Sequence, residues 1–324
     1  MKRRQFISLV GAVAAWPWSA AAEAERRLGL LMPFSDGDPL AAGLLKALRQ
    51  SLAALGWHEG GNLKIEVRWG QSDDARSRAD AKELVETQPD AILAHGPAFP
   101  SVREATRTIP LVFVAIADPV GQGFVTSLSR PGGNTTGFML MEFSVGGKFV
   151  ELLKEIAPAT KRVAVFEDPS NSTSPQWWRS IEGAARDVGI APQQALVQNQ
   201  AEIDAAIEVI ARAPHGSIIV PPQAFFAVHR SHLIASAARE RLPVVYNNAV
   251  FVREGGLLSY GPDLADQYAR AASYIDRILR GSKPNDLPVQ APTKFEFAIN
   301  LKTAKTLGLS VSATLLARAD VVIE

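Results

Sequence analysis

The sequence predicts an α/β protein of two lobes, each a doubly wound parallel sheet, with a cleft between the lobes. Apolar runs alternate with amphipathic helical segments from Arg26 onward, which is the βαβ pattern of parallel sheets. The alternation breaks in the glycine- and proline-rich stretch 127–144 and then resumes, as expected for a chain that passes between lobes. A chain of 324 residues is also long enough for two cores of ordinary domain size.

The first half of the chain alternates strands and helices in order. Leu44, Leu48 and Leu52 recur at helical spacing and Gly56 follows them, which predicts a helix that stops there. The stretch IPLVFVAIAD is a continuous apolar run, typical of a strand buried on both faces of a parallel sheet. The predicted strands are 26–34, 62–70, 90–96 and 109–118, and the predicted helices are 39–57, 74–88 and 100–108.

A second alternating series follows the break, with the same architecture but no matching sequence. Its predicted strands are 161–169, 192–198, 216–222 and 242–248, and its predicted helices are 144–158, 174–189, 201–213 and 228–240. The stretch 253–263 reads as another crossing between lobes, before a long helix at 264–281, a turn at 282–288, a strand at 294–301 and a helix at 302–309. These elements predict one lobe from residues 25–136 plus 257–285, and a second lobe from residues 137–256 plus 286–324.

Residues 1–24 have the pattern of a secretory signal peptide: a basic start, a short apolar middle and a small-residue end. Cleavage is predicted after Ala24 or, equally well, after Ala22. The pair Arg3-Arg4 leaves open whether export uses the ordinary secretory route or the twin-arginine route. The sequence has no cysteine, so neither a disulfide nor a lipid anchor is expected, and the mature protein is predicted to be periplasmic.

Composition and motifs exclude several function classes. The net charge is +1 with no basic block beyond the N-terminus, so nucleic acid is not an expected partner. The sequence has no G-x-S-x-G, H-E-x-x-H or G-x-G-x-x-G motif and no paired histidines at metal spacing. We therefore expect no enzymatic activity, no cofactor and no metal site.

Polar and aromatic residues follow the predicted strands at their carboxyl ends, where α/β sheets bind ligands. They are mostly hydroxyls, amides, carboxylates and rings, a set suited to a small zwitterion or another polar organic molecule. Structural roles compete with ligand binding. Asp118 could cap a turn, Asn171 could start a helix, Tyr246 could be core, and His95 fits a core histidine better than a base.

Five long segments of the chain carry a family resemblance. They are IPLVFVAIADPVGQGFVTSLSRPGGNTTG, VELLKEIAPATKRVAVF, LPVVYNNAVFVREGGLLSYGPDL, LPVQAPTKFEFAINLKTAKTLGL and the closing LLARADVVIE. With these segments the chain resembles the substrate-binding components of ABC transporters, in the branch similar to tryptophan- and tyrosine-binding proteins. The resemblance implies the type I periplasmic-binding-protein fold, with three crossings and closure of the lobes on a ligand.

The resemblance also implies a function and a set of ligand contacts. The implied function is an exported, monomeric receptor that binds a small organic solute, amino-acid-like as a first expectation, and delivers it to an inner-membrane ABC permease. A periplasmic sensor that docks on a signalling receptor is the alternative. Carried over by position, the implied contacts are Ser35, Pro97, Ala98, Asp118, Asn171, Gln223 and Tyr246. Pro97 stands where the family often has a hydroxyl residue, which weakens the case for an amino-acid carboxylate at that loop.

Overall fold

A computed structural model describes residues 25–324, and these residues form two α/β lobes. The signal-peptide prediction falls on residues 1–24 and so lies outside the described residues. The strands are β1 (Arg26–Met32), β2 (Leu63–Trp69), β3 (Ala91–His95), β4 (Leu111–Ile116), β5 (Thr135–Met139), β6 (Arg162–Glu167), β7 (Ala191–Leu196), β8 (Gly216–Ile219), β9 (Val244–Tyr246), β10 (Leu258–Pro262), β11 (Phe295–Asn300) and β12 (Val321–Ile323). The helices are α1 (Pro39–Ala54), α2 (Asp74–Glu86), α3 (Phe99–Ala105), α4 (Gly146–Ile156), α5 (Ser174–Asp187), α6 (Gln200–Ala211), α7 (Ala224–Val228), α8 (Arg230–Arg239), α9 (Ala249–Arg253), α10 (Leu264–Leu279), α11 (Leu301–Thr306) and α12 (Ala313–Ala317).

The first lobe contains a five-stranded parallel sheet in the order β2-β1-β3-β4-β5. Every residue of β3 and β4 is buried, as the continuous apolar runs predicted, whereas edge strand β2 is half-buried. One face of the sheet packs against α1 and α10, and the opposite face packs against α2 and α3. Helices on both faces confirm the doubly wound prediction.

The second lobe repeats this topology. Its sheet has seven strands in the order β12-β11-β10-β9-β8-β6-β7, so β7-β6-β8-β9-β10 matches the strand order of the first lobe. Its strands are parallel except for β11 and β12, which are parallel to each other and antiparallel to the other five. Two apolar clusters cover its two faces.

The first two crossings lie later in the chain than the sequence suggested. The stretch 127–144 was expected to be a loop, but it contains β5, which pairs with β4 and so belongs to the first sheet. The expected crossing 253–263 contains β10, which pairs with β9 in the second sheet. Both strands were hidden because glycines interrupt their short apolar runs. We propose lobe boundaries after Met139 and after Pro262, in place of those after residues 136 and 256.

The long helix α10 belongs to the first lobe but holds two of the crossings. Its Gln267 is fully buried and donates to the backbone oxygen of Met139 at 2.8 Å, in the first crossing. Tyr274 donates to the oxygen of Pro288 at 2.6 Å, in the third crossing. The two crossings also bond directly, because the nitrogen of Met139 donates to the oxygen of Gln290 at 2.8 Å. One helix therefore fixes two of the three connections between the lobes.

None of the helices between residues 25 and 324 is both long enough and apolar enough to span a bilayer.

Candidate functional site: a cavity between the lobes

A cavity of about 470 Å³ lies between the two lobes, and both lobes line it. In each sheet the strand order reverses between two neighbouring parallel strands, β1 and β3 in the first lobe and β6 and β8 in the second. Ligands of open α/β sheets bind beyond the carboxyl ends of strands at such switch points. The cavity lies where these two switch points face each other, and its volume is in the range of small-molecule sites, roughly 300–1,000 Å³.

The first lobe contributes the residues that follow β1, β3 and β4. Phe34 follows β1, and His95 with the turn 96–98 ends β3. In β4 the pairing with β5 shifts at Ala115, whose φ of 64° lies in the left-handed region. A bulge of this kind redirects the residues around it, and residues 115–117 all line the cavity.

The second lobe contributes a loop after β6 that is held by a ring of hydrogen bonds. Gln223 accepts from the nitrogen of Asp168 at 2.6 Å and donates to the hydroxyl of Ser174 at 3.0 Å. The Ser174 hydroxyl in turn donates to the backbone oxygen of Asp168 at 2.7 Å. Asn171 accepts from the nitrogen of Thr173 at 2.9 Å, which fixes the turn before α5. This part of the wall is preorganised because its internal polar groups are paired.

The cavity lining carries carboxylates but, among residues 25–324, neither lysine nor arginine. The carboxylates are those of Asp74 and Asp168. Burial lowers the pKa of His95 to about 4, so this side chain is neutral at pH 7. A ligand acceptor must therefore be bound by neutral donors, while a ligand cation would meet a carboxylate.

Four of the seven residues expected from the sequence lie in the cavity wall: Pro97, Ala98, Asn171 and Gln223. Gln223 has both ends of its amide engaged within the protein, so it shapes the wall rather than offering a free group. Asn171 uses its oxygen in its own turn, and its amide nitrogen has no hydrogen-bond partner among residues 25–324.

The structure places Ser35, Asp118 and Tyr246 outside the lining. Ser35 is exposed, one residue beyond Phe34. The Asp118 carboxylate accepts from the nitrogen of Gly121 at 2.8 Å, which is the turn-capping alternative considered for it. Tyr246 is 1% exposed and stacks on Phe251, with ring centroids 4.8 Å apart. Its side chain lies in the core of the second lobe, behind the residues that line the cavity, because the side chains of a strand alternate between the two faces of the sheet.

Several lining residues were absent from the expected contacts. Phe34, His95, Asp168 and Phe225 lie at or after strand ends, where ligands are expected, but the contacts implied by the family resemblance did not include them. Ser72, Asp74 and Ser77 come from the start of α2, and no strand-end pattern marks them. In the part of the chain that the structure describes, no group of three or more histidine, aspartate or glutamate side chains is placed to hold a metal ion.

Comparisons with known proteins agree with this architecture. A family model described as ABC transporter substrate binding protein matches residues 36–323. The chain is 26% identical over 274 residues to a tyrosine-binding protein of Clostridioides difficile strain R20291, covering 84% of this chain and 77% of that protein. A solved ABC domain from Streptococcus pneumonia in complex with L-Trp is 26% identical with a TM-score of 0.85, covering 93% of this chain and all of that one. A conserved domain protein from Vibrio cholerae is 28% identical with a TM-score of 0.85, covering 92% and 99% of the two chains.

Proposed function

This chain belongs to the family of ABC transporter substrate-binding proteins, and from that premise we propose that it is an exported receptor for an aromatic amino acid. The observation that carries the proposal is the cavity, whose wall combines rings from both lobes with a carboxylate and neutral donors. The named ligands of two relatives, tyrosine and L-Trp, support an aromatic amino acid. The protein acts by binding and release, not by chemistry.

Two rings suit an aromatic side chain. Phe34 comes from the first lobe and Phe225 from the second, and both line the cavity. Phe34 is 2% exposed, whereas Phe225 is half-buried. Rings supplied from opposite lobes bind an aromatic ligand most strongly when the lobes close, since only then do both contact it.

The carboxylate of Asp168 suits the ligand's ammonium group. One of its oxygens accepts from the nitrogen and hydroxyl of Ser170, at 2.9 and 2.6 Å. The other oxygen has no hydrogen-bond partner among residues 25–324, and Asp168 lines the cavity. A charge-assisted hydrogen bond to this oxygen would hold the ammonium.

The family and the N-terminal pattern together support a proposal for where the ligand goes. We propose that the signal peptide directs the protein to the periplasm and that it delivers its ligand, as a monomer, to an ABC permease in the inner membrane. The cleft mouth, which changes shape on closure, is the part of the surface through which a permease could distinguish loaded receptor from empty receptor.

Calorimetric titration of the mature protein with L-tryptophan, L-tyrosine and L-leucine tests the ligand class. We expect the two aromatic amino acids to bind and L-leucine to bind at least tenfold more weakly, because only an aromatic side chain contacts both rings. At about 100 times its dissociation constant, a ligand should add roughly 2.7 kcal/mol of stability, which thermal unfolding detects independently.

Two variants connect binding to the cavity. Asp168→Asn should weaken both aromatic amino acids by tenfold or more, whereas Asp187→Asn, on the same lobe but outside the lining, should leave affinity unchanged. Failure of both aromatic amino acids to bind wild-type protein would refute the proposed ligand class. Tighter binding of L-leucine would instead move the receptor to aliphatic ligands.

A further inference from the structure

His95 is the least exposed titratable residue in the cavity lining. It ends β3, is 6% exposed, and points to the face of the sheet that α1 and α10 cover. Its ring lies 5.2 Å from the ring of Phe34 and 5.9 Å from that of Tyr268, between centroids. Because both neighbours are almost fully buried, the imidazole has little freedom to turn.

One ring nitrogen is engaged inside the protein. His95 Nδ1 lies 3.0 Å from the hydroxyl of Tyr268, and that hydroxyl lies 3.2 Å from Met32 Sδ. An imidazole nitrogen accepts a hydrogen bond far better than a thioether sulfur does. When the Tyr268 hydroxyl gives its proton to Nδ1 in preference to Met32 Sδ, the ring proton of a neutral imidazole is on Nε2.

The other ring nitrogen has no partner within residues 25–324, and the residue lines the cavity. Three of the four hydroxyl residues in the lining, all except Ser77, have already donated their protons within the protein. Ser72 donates to the oxygen of Pro33, Ser170 to Asp168 and Thr173 to Asn171, at 3.2, 2.6 and 2.8 Å. In that tautomer Nε2 is a donor with a fixed direction, in a lining that has neither lysine nor arginine among residues 25–324.

We propose that His95 is a specificity-determining residue that donates its Nε2 proton to the ligand's carboxylate, and that Tyr268 is a positioning residue that fixes the required tautomer. The proposal rests on the proposed function and deepens it. It assigns the carboxylate to the first lobe and the ammonium, through Asp168, to the second, so one zwitterion joins both lobes. It also supplies a donor near the turn where Pro97 replaces the family's hydroxyl residue.

The tautomer can be measured without any ligand. Long-range nitrogen–proton NMR correlations at pH 7 should show His95 with a protonated Nε2 and an unprotonated Nδ1. Tyr268→Phe keeps the ring but removes the hydroxyl, so the same spectrum should show a mixture of the two tautomers. Wild-type protein with its proton on Nδ1 would overturn the proposal, since Nε2 would then be an acceptor.

Binding supplies the second readout, with L-tryptophan and its decarboxylated analogue tryptamine as probes. His95→Phe should weaken L-tryptophan by roughly tenfold to a hundredfold, the range for a hydrogen bond to a charged group, and should change tryptamine affinity less than threefold. His95→Gln places an amide N–H near the position of Nε2 and should recover part of the loss. Thermal unfolding of each variant identifies any that fails to fold.

The outcomes separate the two proposals. If wild-type protein binds L-tryptophan but His95→Phe binds it equally well, or loses both probes equally, the role of His95 is overturned and the receptor stands. If wild-type protein binds neither aromatic amino acid, the proposed function and the carboxylate assignment fall together.

Discussion

Arg230 in α8 of the second lobe forms an ion pair with Asp38 in the first lobe, with Nη1 and Oδ2 3.0 Å apart. The guanidinium also pairs with Glu254 at 2.7 Å, and its side chain is only 7% exposed. Asp38 at the same time caps α1 by accepting from the nitrogen of Leu40 at 2.8 Å. Next to this pair, Ala227 and Val228 pack against the core of the first lobe. The lobes are therefore in contact at the edge of the cavity, and opening them would separate the pair.

Arg230→Met should shift the lobes toward the open form and weaken ligand binding by roughly tenfold, because closure would no longer form the ion pair with Asp38 across the lobes. Calorimetry with L-tryptophan measures the affinity, and small-angle scattering of unliganded protein measures the opening. Arg318→Met is the matched control, since Arg318 pairs with Glu151 and Glu155 inside one lobe. Wild-type affinity and scattering in the Arg230 variant would show that the ion pair does not hold the lobes together.

Asp118→Asn should leave affinity unchanged, because the carboxylate lies outside the cavity and an amide oxygen can still accept from Gly121. Asp118→Ala should lower stability by about 0.5–2 kcal/mol through loss of that acceptor, again with little change in affinity. Chemical denaturation and calorimetry separate these effects. A tenfold loss of affinity in the asparagine variant would restore Asp118 as a ligand contact.

Glu167 should make stability fall as pH rises. Burial raises the pKa of this carboxyl to about 7; it is 1% exposed, and its Oε1 has no partner within the described residues. Between about pH 4.5 and pH 7 the folded state holds a proton that the unfolded state has released, so its contribution to stability decreases over this window and then levels off.

Glu167→Gln should therefore raise the free energy of unfolding at pH 8 by about 1–3 kcal/mol and change it little at pH 4.5. Denaturation at both pH values measures the difference, with Glu182→Gln, on the partly exposed face of α5, as control. An equal effect of Glu167→Gln at the two pH values would show that the carboxyl titrates normally.

Gly261→Ala should destabilise the second lobe, because a Cβ on this residue would collide with the backbone oxygen of Asn247 in the cavity wall. Gly183→Ala in α5 provides the contrast, because a Cβ on this residue would meet nothing within 4 Å. Relative to glycine, alanine stabilises a helix interior by about 0.5–1 kcal/mol. Thermal unfolding should move in opposite directions for the two variants. A stabilised Gly261 variant would mean that β10 can shift without disturbing the wall.

The fold was largely predictable from the sequence, whereas the site was only partly so. Buried parallel strands such as β3 and β4 are marked by their own apolar runs, and this is why the lobes and the cleft could be predicted. The strand-end rule finds the right loops but not which side chains in them face the cavity. Asp118 and Asp168 both follow buried strands, and each accepts through one oxygen in its own turn, yet only Asp168 lines the cavity. That difference depends on how each turn is oriented toward the opposite lobe, which residue order does not encode.

The way α10 holds the crossings limits how the lobes can move. Gln267 and Tyr274 bind the first and third crossings to the same rigid helix, and Met139 bonds directly to Gln290. Because both of these crossings are bonded to α10, they are constrained to bend together. We therefore expect the second lobe to rotate about a single axis close to this helix. A receptor built this way loses little orientational entropy on closing, because most of the relative rotations of its lobes are already excluded in the open form.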